Sequence, residues 1–159
     1  SYSLYIDRLS AWYKKEITEE WPDMVQRLMN LLQSESELDE IVRLVGIDAL
    51  SFNDRLTLEA TRSIREDFLH QNAFHEVDTY ASLKKQLMML SVILAYYEQG
   101  MDALNADASF AKLTALPVRE AIARFKYTPE EECEERFKQI MEQLRNEMNG
   151  LSEGGEEDA

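Results

Sequence analysis

The chain has 159 residues, with 31 Asp and Glu against 17 Lys and Arg and a net charge of −14. That length suits one domain with a hydrophobic core, and the acidic balance argues against a nucleic-acid partner, whose backbone is bound by clustered Lys and Arg. The single cysteine, Cys133, excludes an intrachain disulfide and favours a reducing compartment, and the longest apolar run, 87–97, is too short to insert across a bilayer.

Helix-forming residues dominate, and no stretch alternates apolar and polar residues as a half-buried strand does. We therefore predict an all-α fold, a helical bundle of about six to seven helices. The 5 glycines and 3 prolines fall mostly where helices should begin or end. The exception is Gly100, which lies inside a helical pattern, where a glycine costs about 1 kcal/mol.

The first elements are marked by an apolar stripe and a proline. Residues 3–16 carry apolar and aromatic side chains at helical spacing, namely Leu4, Tyr5, Leu9, Trp12 and Tyr13. Pro22 suits the first turn of a second helix. Ser34 and Glu37 have the spacing of a capping box for a third helix, with Gly46 as its stop. The segment 22–45 is therefore either one helix or two.

Ser51 and Asp54 predict the start of the next helix, over 52–70. Apolar residues recur there every four positions, namely Phe52, Leu56, Ala60, Ile64 and Phe68. A row of this kind indicates a packing face. We expect Phe52 to be buried with this row, and Leu50, which precedes the cap, to be exposed on the turn.

The segment 82–104 is apolar on nearly all sides, which indicates a central helix packed by its neighbours. Met88 and Met89 fall within it as gap-filling core residues. A short turn is predicted near 108–114, after which Pro117 opens another helix.

Thr128-Pro129-Glu130 predicts the start of the last helix, with a cap, a first-turn proline and acids at the positive dipole end. Its apolar stripe comprises Cys133, Phe137, Ile140, Leu144 and Met148, and we expect Gly150 to end it. Residues 151–159 hold two glycines and a block of acids, which predicts a disordered acidic tail. The predicted domain is therefore 1–150.

Motifs for nucleotide chemistry are absent from the sequence. It contains neither the Gly-x-x-x-x-Gly-Lys-Ser/Thr phosphate loop nor Gly-x-Gly-x-x-Gly. We therefore expect no catalytic residue in this chain and no ATP hydrolysis by it alone. Cys133 lies on an apolar stripe without a neighbouring base, which indicates a core position and no nucleophilic role.

The two histidines offer a possible metal site. His70 and His75 lie beside Glu66, Asp67 and Asp78, and these residue types bind zinc or iron. The histidines do not share a helix face, however, and the Glu-x-x-His pairs of di-iron bundles are missing. We therefore predict that the chain binds no metal.

Residues 41–80 carry a set of fragments in a characteristic order and spacing. They are Ile41-Val-Arg-Leu-Val-Gly46, Asp48-Ala-Leu50, Ile64-Arg-Glu-Asp-Phe-Leu69, Gln71-Asn-Ala-Phe74 and Val77-Asp-Thr-Tyr80. This set resembles the C-terminal helical domain of the catalytic A subunit of V/A-type rotary ATPases. Further fragments extend the resemblance to nearly all of 1–150, namely Ser1-Tyr-Ser-Leu-Tyr5, Leu116-Pro-Val-Arg-Glu120 and Arg124-Phe-Lys-Tyr127.

The resemblance implies a fragment of a larger enzyme. In the family, the catalytic subunit is a proton- or sodium-translocating ATP hydrolase or synthase that binds ATP or ADP with Mg. Its helical domain follows the nucleotide-binding domain, and catalytic subunits alternate with B subunits in a hexamer around a central stalk. This chain would hold no cofactor itself and would transmit nucleotide-driven motion to the stalk. The implied location is cytoplasmic, peripheral to the membrane.

The resemblance implies a rotor contact at the turn 48–54. In related F-type ATPases the corresponding helix-turn-helix reads D-E-L-S-E-E-D, whereas this one reads Asp48-Ala-Leu-Ser-Phe-Asn-Asp54. The matching residues, and so the candidates for the contact, are Asp48, Leu50, Ser51 and Asp54. The alternative is that these residues merely join and cap two helices.

The resemblance also implies a contact with adenine. The residues are Asn72, Ala73 and Phe74, because in the family an aromatic ring just after this helix reaches over the base. An aromatic ring offers a rigid apolar face for such stacking. The alternative is that Phe74 is an ordinary core residue at a helix break.

Two other functions fit the residues. One is a free-standing acidic helical adaptor that binds another protein through an apolar groove. The other is a small metalloenzyme in a helical bundle. The chain begins at Ser1 without an initiator methionine, which leads us to expect a fragment or a processed chain.

Overall fold

The computed structural model describes residues 21–69 and 79–154. Every regular element within these ranges is helical, which confirms the all-α prediction. The α-helices are α1 Trp21–Val45, α2 Phe52–Ser63, α3 Thr79–Asn105, α4 Phe110–Thr114, α5 Val118–Arg124 and α6 Cys133–Gly154. Short 3₁₀ turns occupy Ile47–Ala49, Phe125–Tyr127 and Glu130–Glu132, and a π-helical turn, Ile64–Leu69, continues α2. The predicted stripe of residues 3–16 lies outside the described residues.

The segment 22–45 is one helix, because α1 runs unbroken for 25 residues. The capping box at Ser34 and Glu37 is therefore wrong. No glycine or proline interrupts this stretch after Pro22. Residues 34–37 therefore continue the helix, because their neighbours favour helix on both sides. α1 ends at Gly46, which has φ 91° and donates its N–H to the Val42 carbonyl at 2.9 Å. The predicted glycine stop is thus confirmed, in a conformation that favours glycine.

Helix α3 is the centre of the core, as its apolar sequence predicts. Most of its side chains between 87 and 96 are buried, Met88 and Met89 among them. Gly100 allows its neighbours to approach, because a Cβ there would lie 3.1 Å from a Leu56 methyl and 3.3 Å from a Leu113 methyl. The helix-interior glycine is therefore explained by the close packing of α2 and α4 against α3.

Helix α6 carries the predicted stripe but continues past Gly150 to Gly154. The expected end at Gly150, and with it a tail beginning at residue 151, is wrong for 151–154. Leu151 adds one more buried apolar position to the stripe, and its burial outweighs the helix cost of Gly150. Residues 155–159 lie outside the described residues.

Cys133 is a core residue, as predicted. It is buried at the start of α6, and burial raises the pKa of its thiol to about 11. A thiol with so high a pKa carries almost no thiolate near neutral pH and is a poor nucleophile.

Candidate functional site at the α1–α2 turn

The turn between α1 and α2 is tightly hydrogen-bonded. Leu50 donates its N–H to the Ile47 carbonyl at 3.0 Å, which closes the 3₁₀ turn. The Ser51 hydroxyl then accepts the N–H of Asp54 at 3.1 Å and so caps α2. The predicted N-cap is therefore confirmed, and a side-chain cap of this type contributes about 1 kcal/mol to helix stability.

The expected exposures of Leu50 and Phe52 are reversed in the structure. Leu50 is only 6% exposed, whereas Phe52 is 54% exposed. An apolar residue just before an N-cap commonly packs back against the first helical turn. A strict four-residue row also drifts around a helix of 3.6 residues per turn, so its first member need not share the buried face. The expected exposure of Leu50 is therefore wrong, and its contact with a rotor stays a prediction.

Phe52 and Asn53 fasten the turn to the helices behind it. The ring of Phe52 stacks on that of Phe110 in α4, with centroids 5.2 Å apart and planes 16° from parallel. The Asn53 amide donates to Asn105 Oδ1, at the end of α3, at 3.0 Å. The Arg55 guanidinium lies 5.3 Å from the centroid of the Phe52 ring. The turn is thus supported by α3 and α4 as well as by its own hydrogen bonds.

Several large apolar side chains are exposed around this turn. Leu44 is 74% and Val45 67% exposed at the end of α1, and Ile47 and Phe52 follow on the turn. We call these four residues the tip patch. Sequence reasoning missed it, although the run Ile41–Val45, just before the glycine stop, was a visible signal. Exposed apolar side chains grouped in this way are a candidate site of interaction with another molecule.

The polar residues predicted at this site have different environments. The side chain of Asp48 is 97% exposed, with a carboxylate oxygen 3.6 Å from Arg55 Nη2. Ser51 and Asp54 are joined to each other by the cap. Asp48 is therefore the more exposed of the two acids, while Ser51 and the backbone N–H of Asp54 organise the start of α2. A contact of any of them with a rotor stays a prediction.

Other predicted residues lie outside the described ranges, namely Asn72, Ala73, Phe74, His70 and His75. Within 21–69 and 79–154, no three His, Cys, Asp or Glu side chains come together as metal ligands do. In the same ranges, none of the helices has the length and apolar character needed to cross a membrane.

Comparison with known proteins decides among the interpretations of the sequence. Residues 10–113 match the family model described as the C-terminal domain of V and A type ATP synthase. The chain belongs to this family. The resemblance seen in the sequence is thereby confirmed, and family membership favours it over a free-standing adaptor or a metalloenzyme.

Curated relatives cover this chain almost completely. The V-type ATP synthase alpha chain of Acetivibrio thermocellus is 54% identical over 95% of this chain and 26% of its own length. The protein of the same name from Thermoanaerobacter pseudethanolicus is 50% identical over 100% of this chain and 27% of its own length. That of Clostridium novyi is 51% identical over 95% of this chain and 26% of its own length. The chain therefore spans about a quarter of the length of these relatives.

Proposed function

We propose that this chain acts as the C-terminal helical domain of the catalytic A subunit of a V/A-type rotary ATPase or ATP synthase. In this role it carries no chemistry and passes nucleotide-driven motion to the central stalk. The proposal rests on family membership and on relatives named V-type ATP synthase alpha chain. The absence of a phosphate loop from the sequence is consistent with a non-catalytic role.

The proposed surroundings follow from the same membership. The nucleotide-binding domain of the same polypeptide would hold ATP or ADP with Mg, and B subunits would alternate with catalytic subunits around the central stalk. The complex would lie on the cytoplasmic face of the membrane, with this domain peripheral to it. Coupling to proton or sodium movement belongs to the whole complex.

The α1–α2 hairpin has the mechanical features that a pushing element needs. α1 is a continuous helix of 25 residues, about 38 Å long at 1.5 Å per residue. The turn at its end is fastened by the Phe52–Phe110 stack and the Asn53–Asn105 hydrogen bond. A force applied along the hairpin should therefore reach the tip, because the turn is held rigidly by these contacts.

The tip patch gives the proposed rotor contact an apolar character. Leu44, Val45 and Ile47 present hydrocarbon to the outside, and Asp48 adds one exposed carboxylate. Hydrophobic contact is non-directional, so it tolerates a partner surface that turns. We therefore assign the contact to the tip patch with Asp48, in place of Leu50.

The test is rotation under load by the assembled complex. Leu44→Gln combined with Val45→Gln removes apolar surface from the tip, and we expect lower torque with little change in ATP hydrolysis by the unloaded motor. Met29→Gln is the matched control, because Met29 is also exposed on α1 but lies about four turns earlier. Normal torque in the double variant would remove the tip patch from the proposal.

The proposed adenine contact has its own test. Phe74→Ala in the whole enzyme should raise the KM for ATP more than it lowers kcat, because a stacked ring binds substrate without taking part in the chemistry. Phe137→Ala is the control, since it removes a partly buried aromatic ring from α6, outside the tip patch. If Phe74→Ala unfolds the domain and leaves the affinity of the folded fraction unchanged, Phe74 is a core residue.

A further inference from the structure

The C-terminal end of α2 differs from ordinary helix. Ile64–Leu69 form a π-helical turn, a rare conformation that often occurs at functional sites. Ile64 and Phe68 are buried in the core, and Asp67 is buried between them in sequence. A buried carboxylate requires a specific partner, because an unpaired charge away from water is strongly destabilising.

Lys126 is that partner. Its ammonium group lies 2.9 Å from Asp67 Oδ1, and the side chains of Lys126 and Asp67 are 19% and 8% exposed. Burial raises the pKa of Asp67, and the hydrogen bond to Asp67 raises the pKa of Lys126. Lys126 belongs to the 3₁₀ turn Phe125–Tyr127, whose first residue, Phe125, is fully buried. The π-turn is therefore tied to an element that is itself anchored in the core.

The same turn holds the beginning of α3. The Lys85 ammonium group donates to the backbone carbonyl of Lys126 at 2.6 Å and to that of Thr128 at 2.7 Å. Lys85 lies in the second turn of α3, which starts at Thr79. The turn 125–128 thus contacts the π-turn two residues before its end and α3 shortly after its start.

We propose that Asp67, Lys85 and Lys126 form a clamp that positions the connection between α2 and α3. The clamp fixes Asp67, two residues before Leu69, relative to Lys85, six residues after Thr79, through the turn 125–128. Residues 70–78 lie between these two residues and include the proposed adenine contact, so this inference rests on the proposed function. The three clamp residues are positioning residues.

Fixing both ends of a connecting segment lowers the entropy that it loses when it binds a ligand. Loosening the clamp should therefore weaken nucleotide binding while leaving the bond-breaking step nearly unchanged. A residue with a purely structural role would reduce the amount of folded protein and would leave the KM of that fraction as it was.

The first experiment measures amide hydrogen exchange in the 159-residue chain and needs no nucleotide. In Lys126→Met we expect exchange at residues 65–69 and at residues 80–86 to rise together, by about tenfold or more, a change of ~1.4 kcal/mol in local opening. Arg27→Met is the matched control, because it breaks the ion pair between Arg27 on α1 and Glu98 on α3 and leaves the three clamp residues in place. A rise at only one end, or the same two-ended rise in Arg27→Met, overturns the clamp.

The second experiment measures steady-state kinetics of the assembled ATPase. Asp67→Asn and Lys126→Met should each raise the KM for ATP several-fold, up to about tenfold, with a much smaller change in kcat. Their preference for ATP over a triphosphate with a different base should fall, and Lys126→Arg should restore most of it. An unchanged KM in Lys126→Met, together with the two-ended rise in exchange, overturns the positioning role.

The two experiments separate this inference from the proposed adenine contact. If Phe74→Ala leaves the KM for ATP unchanged, the adenine contact fails, and a positioning role for adenine binding is overturned with it. If Phe74→Ala raises the KM and the clamp variants do not, the adenine contact stands and only the clamp is overturned. Raised KM values in both sets of variants, with two-ended exchange, support both.

Discussion

The two ends of helix α2 are organised in opposite ways. At its start, the turn is held from behind by stacking and amide contacts, and its outer surface is apolar and exposed. At its end, a buried carboxylate is paired with Lys126, and a second lysine binds the same turn. One end has an exposed apolar surface, and the other holds the domain's own chain in place.

The chemistry of each end fits its task. Hydrogen-bonded ion pairs depend on distance and angle, so the contacts of Asp67, Lys85 and Lys126 specify one arrangement. Apolar contact depends mainly on the area removed from water, so the tip patch can meet a partner in several registers. A single helix can therefore have a fixed end and an adaptable end. The fixed end is the one with a buried, paired charge.

Leu50→Ala should have the largest effect at the tip. Leu50 is buried, and truncation of a buried leucine costs about 2–5 kcal/mol. Phe52→Ala should cost less, because its ring is half exposed and its stack on Phe110 contributes about 0.5–1.5 kcal/mol beyond area burial. Thermal and urea unfolding of the two variants measure the difference.

The opposite ranking, with Phe52→Ala the more destabilising, would restore the packing first expected from the sequence. It would also weaken the distinction between the two ends of α2, because the tip would then be part of the core. The urea m-value is the control. If it is the same in both variants as in the wild type, all three proteins expose the same surface on unfolding and their stabilities can be compared.

Local signals in the sequence predicted the helices well. Gly46, Ser51, Pro117 and Pro129 each mark a boundary that the structure shares, because caps, prolines and left-handed glycines act on their immediate neighbours. The family also followed from the sequence, since ordered fragments over forty residues leave few alternatives.

Features that depend on distant residues could not be read from the sequence. The exposure of Phe52 is linked to Phe110, and the burial of Asp67 to Lys126, and nothing local indicates either pairing. The π-turn contains no glycine or proline that would have predicted it from the sequence. The periodicity showed that α2 has an apolar face. It did not show which residues of that face are covered by neighbouring helices.

Gly100→Ala should destabilise the support behind the tip by about 1 kcal/mol. A Cβ at Gly100 meets methyls of Leu56 and Leu113, both fully buried, and overpacking of that kind costs about 1–3 kcal/mol. The gain in helix propensity offsets about 1 kcal/mol of this. Unfolding in urea measures the net change.

Gly150→Ala is the matched control, because a Cβ there meets nothing within 4 Å and the residue lies inside α6. It should stabilise the chain by about 0.5–1 kcal/mol. If Gly100→Ala were equally stabilising, α2 and α4 would be loosely packed on α3, and the tip would lack firm support from the helices behind it.

Acid should loosen the fixed end of α2 through Glu35. Glu35 is buried on α1 and accepts hydrogen bonds from Arg65 in the π-turn, at 2.9 and 3.1 Å from Nε. These bonds lower the pKa of Glu35 below its ordinary 4.5. Stability from this group is therefore present above pH 4.5 and is lost as the pH falls through the lower, folded-state pKa. Arg65 is more than half exposed, so the contribution should be only about 0.2–1 kcal/mol.

Asp67, at the same end of α2, changes the stability with pH in the opposite direction. Burial raises its pKa above 3.8, so the folded state binds this proton more readily than the unfolded state, and acid favours folding through Asp67. In Glu35→Gln we therefore expect Tm to fall less between pH 7 and pH 3 than in the wild type, and in Asp67→Asn to fall more. Over the same range, the protection of amides against hydrogen exchange, relative to the intrinsic rate at each pH, should be lost first near Arg65. It should be lost last at the amides of Leu50 and Arg55, whose hydrogen bonds go to backbone carbonyls. Loosening of the tip before the π-turn would show that the ion pairs are not what holds that end of α2.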